Sequence, residues 1–304
     1  MKRKTIRVIS WGGLGDVLLT TPSFEALKKQ DPSCKIIIYC TSKSHMEVYR
    51  HNPHIDDVRS NKFWPNIKAY FLSYFKLAPF LIPNYGQIFP SLFLRKHATE
   101  IIAEEIFRVK LDTNKVQVYL TAEEDEWAKQ KLAAYKKPVA IHITSITSKN
   151  QMWPLEYWEE LVASMPDHTF LQLGLPSEQQ VKGAVDLRGA TTFRQGMGIL
   201  KHAHSFIGVV SSFLHASSAF DTPGVGLYGS SSDIIWGHAN NINLNKKLHC
   251  APCIDYIWRS PCPYSSRCMT GITVAEVKEA LEQQLRHRQV IPQDNRKILQ
   301  ISGV

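Results

Sequence analysis

Residues 5–22 read TIRVISWGGLGDVLLTTP, and the change of pattern inside this stretch decides the fold. The β-branched run Thr5–Ser10 predicts a strand. Apolar residues then recur at helical spacing from Val17 to Leu27, after the glycines. A strand, a glycine-rich turn and a helix in this order are typical of a parallel α/β sheet.

The turn itself contains Gly12, Gly13 and Gly15, and Asp16 follows at the start of the predicted helix. Glycines at such a turn let backbone N–H groups approach a phosphate at the helix N-terminus. The spacing differs from the Gly-x-Gly-x-x-Gly fingerprint of dinucleotide-binding folds. An acidic residue at a helix start can be a cap or a catalytic group, and the spacing alone leaves both interpretations open.

The rest of the chain repeats the alternation of strands and helices. Lys35–Cys40 predicts a second buried strand, and His51–Val58 predicts a turn that leads into a third. After a Lys-Lys-Pro break, Val139–Ile143 starts a new cycle. We therefore predict two doubly wound α/β domains, residues 1–137 and 138–304. Further predicted helices are His97–Val109, Glu123–Tyr135, Leu155–Ser164, Phe193–His202, Phe213–Phe220 and Val274–Arg286, and further predicted strands are Thr169–Leu173, Ser205–Val210 and Gly224–Tyr228.

The composition is that of a globular protein with a basic excess. Lys and Arg outnumber Asp and Glu by 36 to 27, and the pI is about 9.2. Such a balance favours a polyanionic partner such as an anionic lipid, a phosphorylated glycan or a nucleic acid, or it simply keeps the surface solvated. No stretch approaches the roughly 20 apolar residues of a membrane span, and the basic start leads into a strand. We expect a cytoplasmic protein.

Residues 63–93 are rich in aromatic side chains, with Lys68 and Lys76 interleaved. This segment could wrap an acceptor or make a peripheral contact with a membrane surface. The interpretation that we favour is a helical excursion whose aromatic residues pack into the first core.

Four of the six cysteines fall within residues 250–268, at Cys250, Cys253, Cys262 and Cys268. In a reducing compartment a local cluster indicates a metal site before it indicates disulfides. Four thiolates can close a tetrahedral zinc or iron site without an open position, which makes the ion structural, and both metals fit the ligands. The alternative is four free or sporadically oxidised cysteines.

Residues 12–22, followed by a helix, a buried strand and His51–Val58, resemble the opening of glycosyltransferase family 9, the ADP-heptose heptosyltransferases. The resemblance implies a GT-B fold, with two Rossmann-like domains facing across a cleft. Residues 1–137 would bind the acceptor and residues 138–304 the nucleotide sugar. Asp16 falls on the family's proposed general base, which deprotonates the acceptor hydroxyl. Gly12, Gly13 and Gly15 would form a phosphate or acceptor loop.

The second half resembles the donor side of the same family. Lys149 precedes a Trp-Pro pair, as in the family, and would hold the pyrophosphate. Residues 227–231 match the family's Leu-Tyr-Gly turn, and Ser211–His215 aligns with its Asp-Thr-Gly-Leu-x-His segment. Val210 stands where the family has Asp, which opens the donor to a pentose or hexose on ADP or UDP. The residues implied to bind the donor are Thr144, Lys149, Glu178, Ser211, Ser212 and His215.

Metal-independent chemistry is expected, because the sequence has no Asp-x-Asp motif for a catalytic divalent ion. The resemblance extends to the cysteines, since similar clusters occur in some family members, including autotransporter heptosyltransferases with an iron site. Five histidines show no metal-ligand spacing: His142, His202, His204, His238 and His249. We interpret them as structural, with the exception of His142, which is expected near the donor cleft.

The resemblance therefore implies an inverting, metal-ion-independent glycosyltransferase that moves a sugar from a nucleotide diphosphate sugar to an acceptor hydroxyl. The favoured acceptor is a lipopolysaccharide-type glycan, such as a phosphorylated glycolipid. Alternatives are a modified DNA base such as a hydroxymethylated pyrimidine, or a protein hydroxyl. A hypothesis of another class is a non-catalytic sugar-nucleotide or nucleic-acid binding protein. The sequence leaves the oligomeric state open.

Overall fold

The computed structural model describes residues 4–61, 80–88, 95–253 and 261–290. They form a mixed α/β fold with two parallel sheets, as predicted. Within these ranges, no helix has the length and apolar content that crossing a bilayer requires.

The first sheet has the order β3-β2-β1-β4, with every neighbouring pair parallel. Val8 of β1 pairs in register with Ile38 of β2, and both side chains are fully buried. Strands covered on both faces read as continuous apolar runs, which is why the sequence pattern located β1 and β2 well. The strands are β1 Thr5–Ile9, β2 Lys35–Cys40, β3 Asp57–Ser60 and β4 Phe80–Leu81.

The second sheet is also parallel and has the order β10-β9-β8-β5-β6-β7. Counted from its first strand, this is the 3-2-1-4-5-6 order of the nucleotide-binding fold, and the first sheet follows the same order as far as its fourth strand. In such sheets, ligands bind at the carboxyl ends of the strands where the strand order reverses. The strands are β5 Val139–His142, β6 Phe170–Gln172, β7 Val185–Asp186, β8 Ser205–Val209, β9 Gly224–Tyr228 and β10 Asn241–Asn245.

Helices connect the strands and cover both sheets. A π-helix spans Ile102–Phe107, and a 3₁₀ turn spans Lys149–Gln151. The α-helices are α1 Leu14–Gln30, α2 Lys43–Tyr49, α3 Tyr85–Ile88, α4 Ala98–Ile101, α5 Ala122–Ala133, α6 Leu155–Ala163, α7 Phe193–His202, α8 Ser212–Ser218, α9 Asp233–Trp236, α10 Arg267–Thr270 and α11 Val274–Val290.

Helix α1 accommodates a proline in its interior. Pro22 has no N–H for the carbonyl of Leu18, and an unpaired buried carbonyl is costly. The hydroxyl of Thr21 donates to that carbonyl at 2.6 Å and replaces the missing bond. The helix therefore continues beyond the proline to Gln30.

Three features differ from the sequence-based expectation. The predicted helix His97–Val109 is α4 followed by the π-helix, which ends at Arg108 in a left-handed conformation. Strands β7 and β10 and helix α9 were not predicted. Strand β7 has only two residues, helix α9 has only four, and β10 contains three Asn, a residue type that is depleted in strands. Of the aromatic segment, Phe80 lies in strand β4 and packs edge-on against Tyr39, which corrects the expected helical excursion at this point, and Tyr85 is buried in the first core. Residues 62–79 and 89–94 lie outside the described residues, so the rest of that expectation stays a prediction.

The two halves of the chain pack closely. A Cβ at Gly198 of α7 would lie 2.8 Å from the Cβ of Ala128 in α5, so these helices approach at their backbones. Arg194 of α7 is buried, pairs with Glu124 of α5, and donates to the carbonyl of Glu47 at 2.9 Å. One continuous apolar cluster contains buried residues of both sheets. The domain boundary near residue 137 stays a prediction.

Candidate active site

Asp16 lies at the carboxyl end of β1, in the first turn of α1, and is partly exposed. Its Oδ2 accepts the backbone N–H of Gly13 at 2.8 Å, and its Oδ1 accepts the hydroxyl of Tyr85 at 3.2 Å. Burial raises the pKa of this carboxyl above its ordinary value, while the two hydrogen bonds oppose the rise. A carboxylate that caps its own helix and has a raised pKa can also accept a proton from a substrate.

The three glycines of the turn have different tasks. Gly12 has a φ of +80°, and a Cβ there would overlap the carboxylate of Asp16. A Cβ at Gly15 would lie 3.0 Å from the ring of His215 and 3.9 Å from the backbone N of Ser212. Gly13 has room for a side chain, and its N–H is already bonded to Asp16. Gly15 thus lets the turn of the first half meet helix α8 of the second.

Helix α8 begins at the carboxyl end of β8, with Ser211 as its N-cap. The Ser211 hydroxyl accepts the N–H of Leu214 at 3.4 Å, and His215 lies one turn into the helix, 3% exposed. Val210 just before the cap packs against the apolar core. An apolar contact therefore occupies the position at which the resemblance implied a carboxylate.

His215 belongs to a buried group of three histidines that the sequence did not reveal. Its Nδ1 lies 2.9 Å from Nε2 of His238, and the ring of His97 lies edge-on to His238 with centroids 5.5 Å apart. Burial lowers the pKa of His97 to about 4 and that of His215 to about 3, and it holds the pKa of His238 well below the ordinary value. All three rings are therefore neutral at pH 7.

Glu178 follows β6 in a turn that repeats the geometry of Asp16. Its Oε1 accepts the N–H of Leu175 at 3.0 Å and lies 3.6 Å from Nε2 of His142. Burial disfavours the charged form, but contacts with His142, Leu175 and Thr144 hold the pKa of Glu178 below its ordinary value. Within the described ranges, Nδ1 of His142 and Oε2 of Glu178 are buried without a hydrogen bond. His142 also packs on the ring of Phe213, in the first turn of α8.

The structure thus brings Glu178, Thr144 and His142 together, and joins them through Phe213 to the meeting point of α1 and α8.

Lys149 is exposed on the 3₁₀ turn after β5. That turn is tied to the turn after β9 by a 2.6 Å hydrogen bond from Ser231 to Gln151. The indole N–H of Trp153 donates to the carbonyl of Ile272 at 2.8 Å, so this residue has a packing task.

Four cysteines, Cys250, Cys253, Cys262 and Cys268, line one cavity together with Pro263, Tyr264 and Arg267. Burial, together with smaller contributions from the other three thiols of the cavity, raises the pKa of Cys253 to about 11. Among the described residues, however, no three side chains of metal-ligating type are close enough together to hold an ion.

Cys253 and Cys268 lie against the turn after β9. The N–H of Cys253 donates to the carbonyl of Ser230 at 2.9 Å. A Cβ at Gly229 would overlap Met269 and lie 2.9 Å from Sγ of Cys268. The Leu-Tyr-Gly turn noted in the sequence therefore needs its glycine to admit the Cys268 segment.

The family model of glycosyltransferase family 9 (heptosyltransferase) matches residues 96–261, just over half of the chain. No curated protein sequence matches the chain. Several solved structures share its fold over nearly its whole length, at identities too low to carry more than the fold.

One is a glycosyltransferase of family 9 from Veillonella parvula DSM 2008, with TM-score 0.70 and 16% identity, covering 93% of this chain and 97% of the other. A second is the ADP-heptose lps heptosyltransferase II of E. coli, with TM-score 0.70 and 12% identity, covering 94% and 99%. A third is the iron-containing dodecameric glycosyltransferase TibC of enterotoxigenic E. coli H10407, with TM-score 0.70 and 18% identity, covering 94% and 77%. With two parallel sheets of nucleotide-binding order and the family match over most of its second half, this chain belongs to glycosyltransferase family 9 and is a glycosyltransferase of the GT-B fold.

Proposed function

We propose that this protein is an inverting glycosyltransferase that moves a sugar from a nucleoside diphosphate sugar to an acceptor hydroxyl, with Asp16 as the base and without a catalytic divalent ion. The observation that carries the proposal is the contact of Gly15 with His215 and Ser212. It brings the turn that bears the base to the helix assigned to the donor. An acceptor hydroxyl, an anomeric carbon and a diphosphate can therefore be held in one line.

In this mechanism Asp16 takes the proton of the acceptor hydroxyl as its oxygen attacks the anomeric carbon. The bond from that carbon to the diphosphate breaks on the opposite face, so the configuration inverts. Positive charge and hydrogen-bond donors must then meet the departing diphosphate. Lys149 would supply the charge as a mobile cation, and the N–H groups at the start of α8 and a neutral N–H of His215 would supply hydrogen bonds.

The nucleoside is assigned to the pocket of Glu178 and Thr144. Oε2 of Glu178 is a buried acceptor without a hydrogen bond inside the described part of the chain, and ribose hydroxyls are donors of the right kind. An ADP-linked donor is favoured because the E. coli neighbour is named for ADP-heptose. Val210 removes a carboxylate at the sugar end, so we extend the donor class to hexoses and pentoses on ADP or UDP.

For the acceptor we favour a lipopolysaccharide-type glycan. The E. coli neighbour is named for transfer to lps, and the net charge of +9 suits a phosphorylated acceptor. A duplex with a hydroxymethylated base would instead bind with a steep dependence on salt.

We assign a structural zinc or iron to the four cysteines, which share one cavity. Because no three of these thiols are close enough together in the described structure to hold an ion, binding would require the thiolates to draw together. The resulting closed tetrahedral shell would hold the cysteines against the turn after β9 and take no part in the transfer. The iron-containing neighbour TibC supports iron as one of the two candidates.

The test pairs binding with turnover. A thermal-shift panel of ADP- and UDP-linked heptoses, hexoses and pentoses should identify the donor, because a ligand at 100 times its Kd adds about 2.7 kcal/mol. The stabilising donor should then release its nucleotide when acceptor glycan is added, with the anomeric configuration of the product inverted. A protein that binds a donor and never releases nucleotide with any acceptor is a binding protein, and a retained configuration contradicts the mechanism.

A further inference from the structure

A hydrogen-bonded chain connects the proposed base to the opposite half of the molecule. The hydroxyl of Tyr85 lies 3.2 Å from Oδ1 of Asp16, and Nε1 of Trp236 lies 2.9 Å from the same hydroxyl. An indole N–H can only donate, and an ionised carboxylate can only accept. The tyrosine oxygen must therefore accept from Trp236, and its own proton is directed to Asp16.

The two aromatic residues come from different halves of the chain. Tyr85 begins α3, four residues after β4 of the first sheet ends, and is 5% exposed. Trp236 ends α9, which follows β9 of the second sheet. Its carbonyl accepts the hydroxyl of Tyr228 at 2.9 Å, and Tyr228 is fully buried. Trp236 is thus fixed to the donor-side sheet, whereas Tyr85 belongs to the acceptor side.

We propose that Tyr85 and Trp236 are positioning residues for Asp16. Tyr85 holds Oδ1 of the carboxylate, and Trp236 sets the direction of the Tyr85 hydroxyl. The base is consequently aligned through hydrogen bonds that come from both halves of the chain. This assignment rests on the proposed function, in which Asp16 is the base.

The first test measures Asp16 directly in the full chain. Protein labelled with carboxyl-¹³C aspartate is titrated by NMR, and the Asp16 signal is identified by its loss in Asp16→Asn. A hydrogen bond to a charged group is worth about one pKa unit or more, so Tyr85→Phe should raise the midpoint by about one unit. Trp236→Phe should raise it by less, because it acts through the tyrosine. The matched control is Tyr119→Phe, which removes a hydroxyl bonded to Gln117 and should leave the midpoint unchanged.

A double-variant cycle separates the chain from two independent effects. In the Tyr85→Phe background, Trp236→Phe should add no further shift, since its hydrogen bond then has no acceptor oxygen. Additive shifts would show that Trp236 acts by another route and would overturn the proposed chain. An unchanged midpoint in Tyr85→Phe would overturn it at once.

The second test follows turnover of the donor found by the thermal-shift panel. Tyr85→Phe should lower kcat about tenfold with little change in the donor KM, and should move the acid limb of the pH profile upward with the NMR midpoint. A rise in KM with an unchanged acid limb would contradict a role at the base. If no donor turns over in the wild type while the NMR shifts appear as expected, the proposed function fails and the hydrogen-bonded chain stands.

Discussion

The carboxylate of Asp16 lies in the space that a side chain at Gly12 would need, since a Cβ at Gly12 would overlap Oδ2. The same relationship recurs in the second half, where a Cβ at Gly174 would overlap Oε2 of Glu178. In both turns the glycine has a positive φ, and the acid four residues later accepts a backbone N–H of the turn. Each half thus uses a glycine to let a carboxylate fold back over the end of a strand.

Substitution at Gly12 should therefore displace the base. Gly12→Ala introduces both a strained φ and an overlap with the carboxylate, and a misplacement of about 1 Å can cost roughly a hundredfold in rate. We expect turnover to fall by about that factor while the circular dichroism spectrum stays normal. Gly13→Ala is the matched control, because its φ is −85° and the nearest atom to its Cβ lies at 3.8 Å. Equal losses in the two variants would show that the overlap is irrelevant.

Asp16→Asn should abolish the base and keep the turn. One amide oxygen can still accept from Gly13, and the amide N–H can donate to the Tyr85 oxygen. We expect turnover to fall by about two to four orders of magnitude, with donor affinity near normal in a thermal-shift titration. Near-wild-type turnover would remove Asp16 from the mechanism.

The same substitution should stabilise the fold at neutral pH. Because burial raises the pKa of Asp16, the folded protein binds this proton more tightly than the unfolded chain does. Its contribution to stability is present below the ordinary pKa and is lost as the pH rises through the raised one. The ionised carboxylate therefore costs stability at pH 7, and Asp16→Asn should raise Tm there. Asp112→Asn, at an exposed carboxylate, is the control; a lowered Tm in Asp16→Asn alone would contradict the argument.

The three buried histidines predict a loss of stability in mild acid. Their folded-state pKa values are lowered, so the unfolded chain takes up protons from about pH 6.5 downward that the folded protein does not. Each ring then costs about 1.4 kcal/mol per pH unit below that value. Denaturant unfolding measures the free energy of unfolding at pH 7.5 and at pH 5.5. The decrease between the two should be smaller by about this amount in His238→Gln than in the wild type. A loss in His238→Gln equal to that of the wild type would refute the assignment.

Substitutions at Lys149 and Glu178 should distinguish the residue that binds the pyrophosphate from the one that binds the nucleoside. Lys149→Ala should weaken binding of the nucleoside diphosphate sugar more than binding of the free nucleoside, because its charge is assigned to the pyrophosphate. Glu178→Ala should weaken both, the nucleoside at least as much as the complete donor. Calorimetric titration with both ligands compares them, and the same pattern of losses in both variants would contradict the assignments.

The cysteine loop should contain close to one zinc or iron per chain by elemental analysis. Serine at any one of the four cysteines should lower metal content and Tm together. Gly229→Ala should do the same without removing a ligand, since its Cβ would push into Met269 and Cys268. Cys34→Ser, at a buried cysteine of the first half, is the control. Metal-free protein with four titratable thiols and unchanged stability would refute the site.

The sequence by itself determined the elements whose signal is local. Buried strands such as β2 and β9 were located to the residue, because both faces are covered and most of each run is apolar. Helix α7 was located to the residue as well, and in the structure it begins at a Thr192 capping box. The glycines before Asp16 and the second-half motifs also pointed to the family from sequence alone.

The tertiary structure decided what depends on contacts between distant segments. Edge strand β10 is formed by its pairing with β9, and the Asn residues in its short alternating sequence are of a type that is depleted in strands. Tyr85 bonds to Asp16 and accepts a hydrogen bond from Trp236 of the other half of the chain. His238 contacts both His215 and His97. The spacing of these residues in the sequence does not predict either set of contacts. The sequence likewise did not show why each glycine is required, because the reason is the side chain that packs against it. Local patterns encode periodicity and turns, whereas the site is assembled where two sheets present their carboxyl ends to one another.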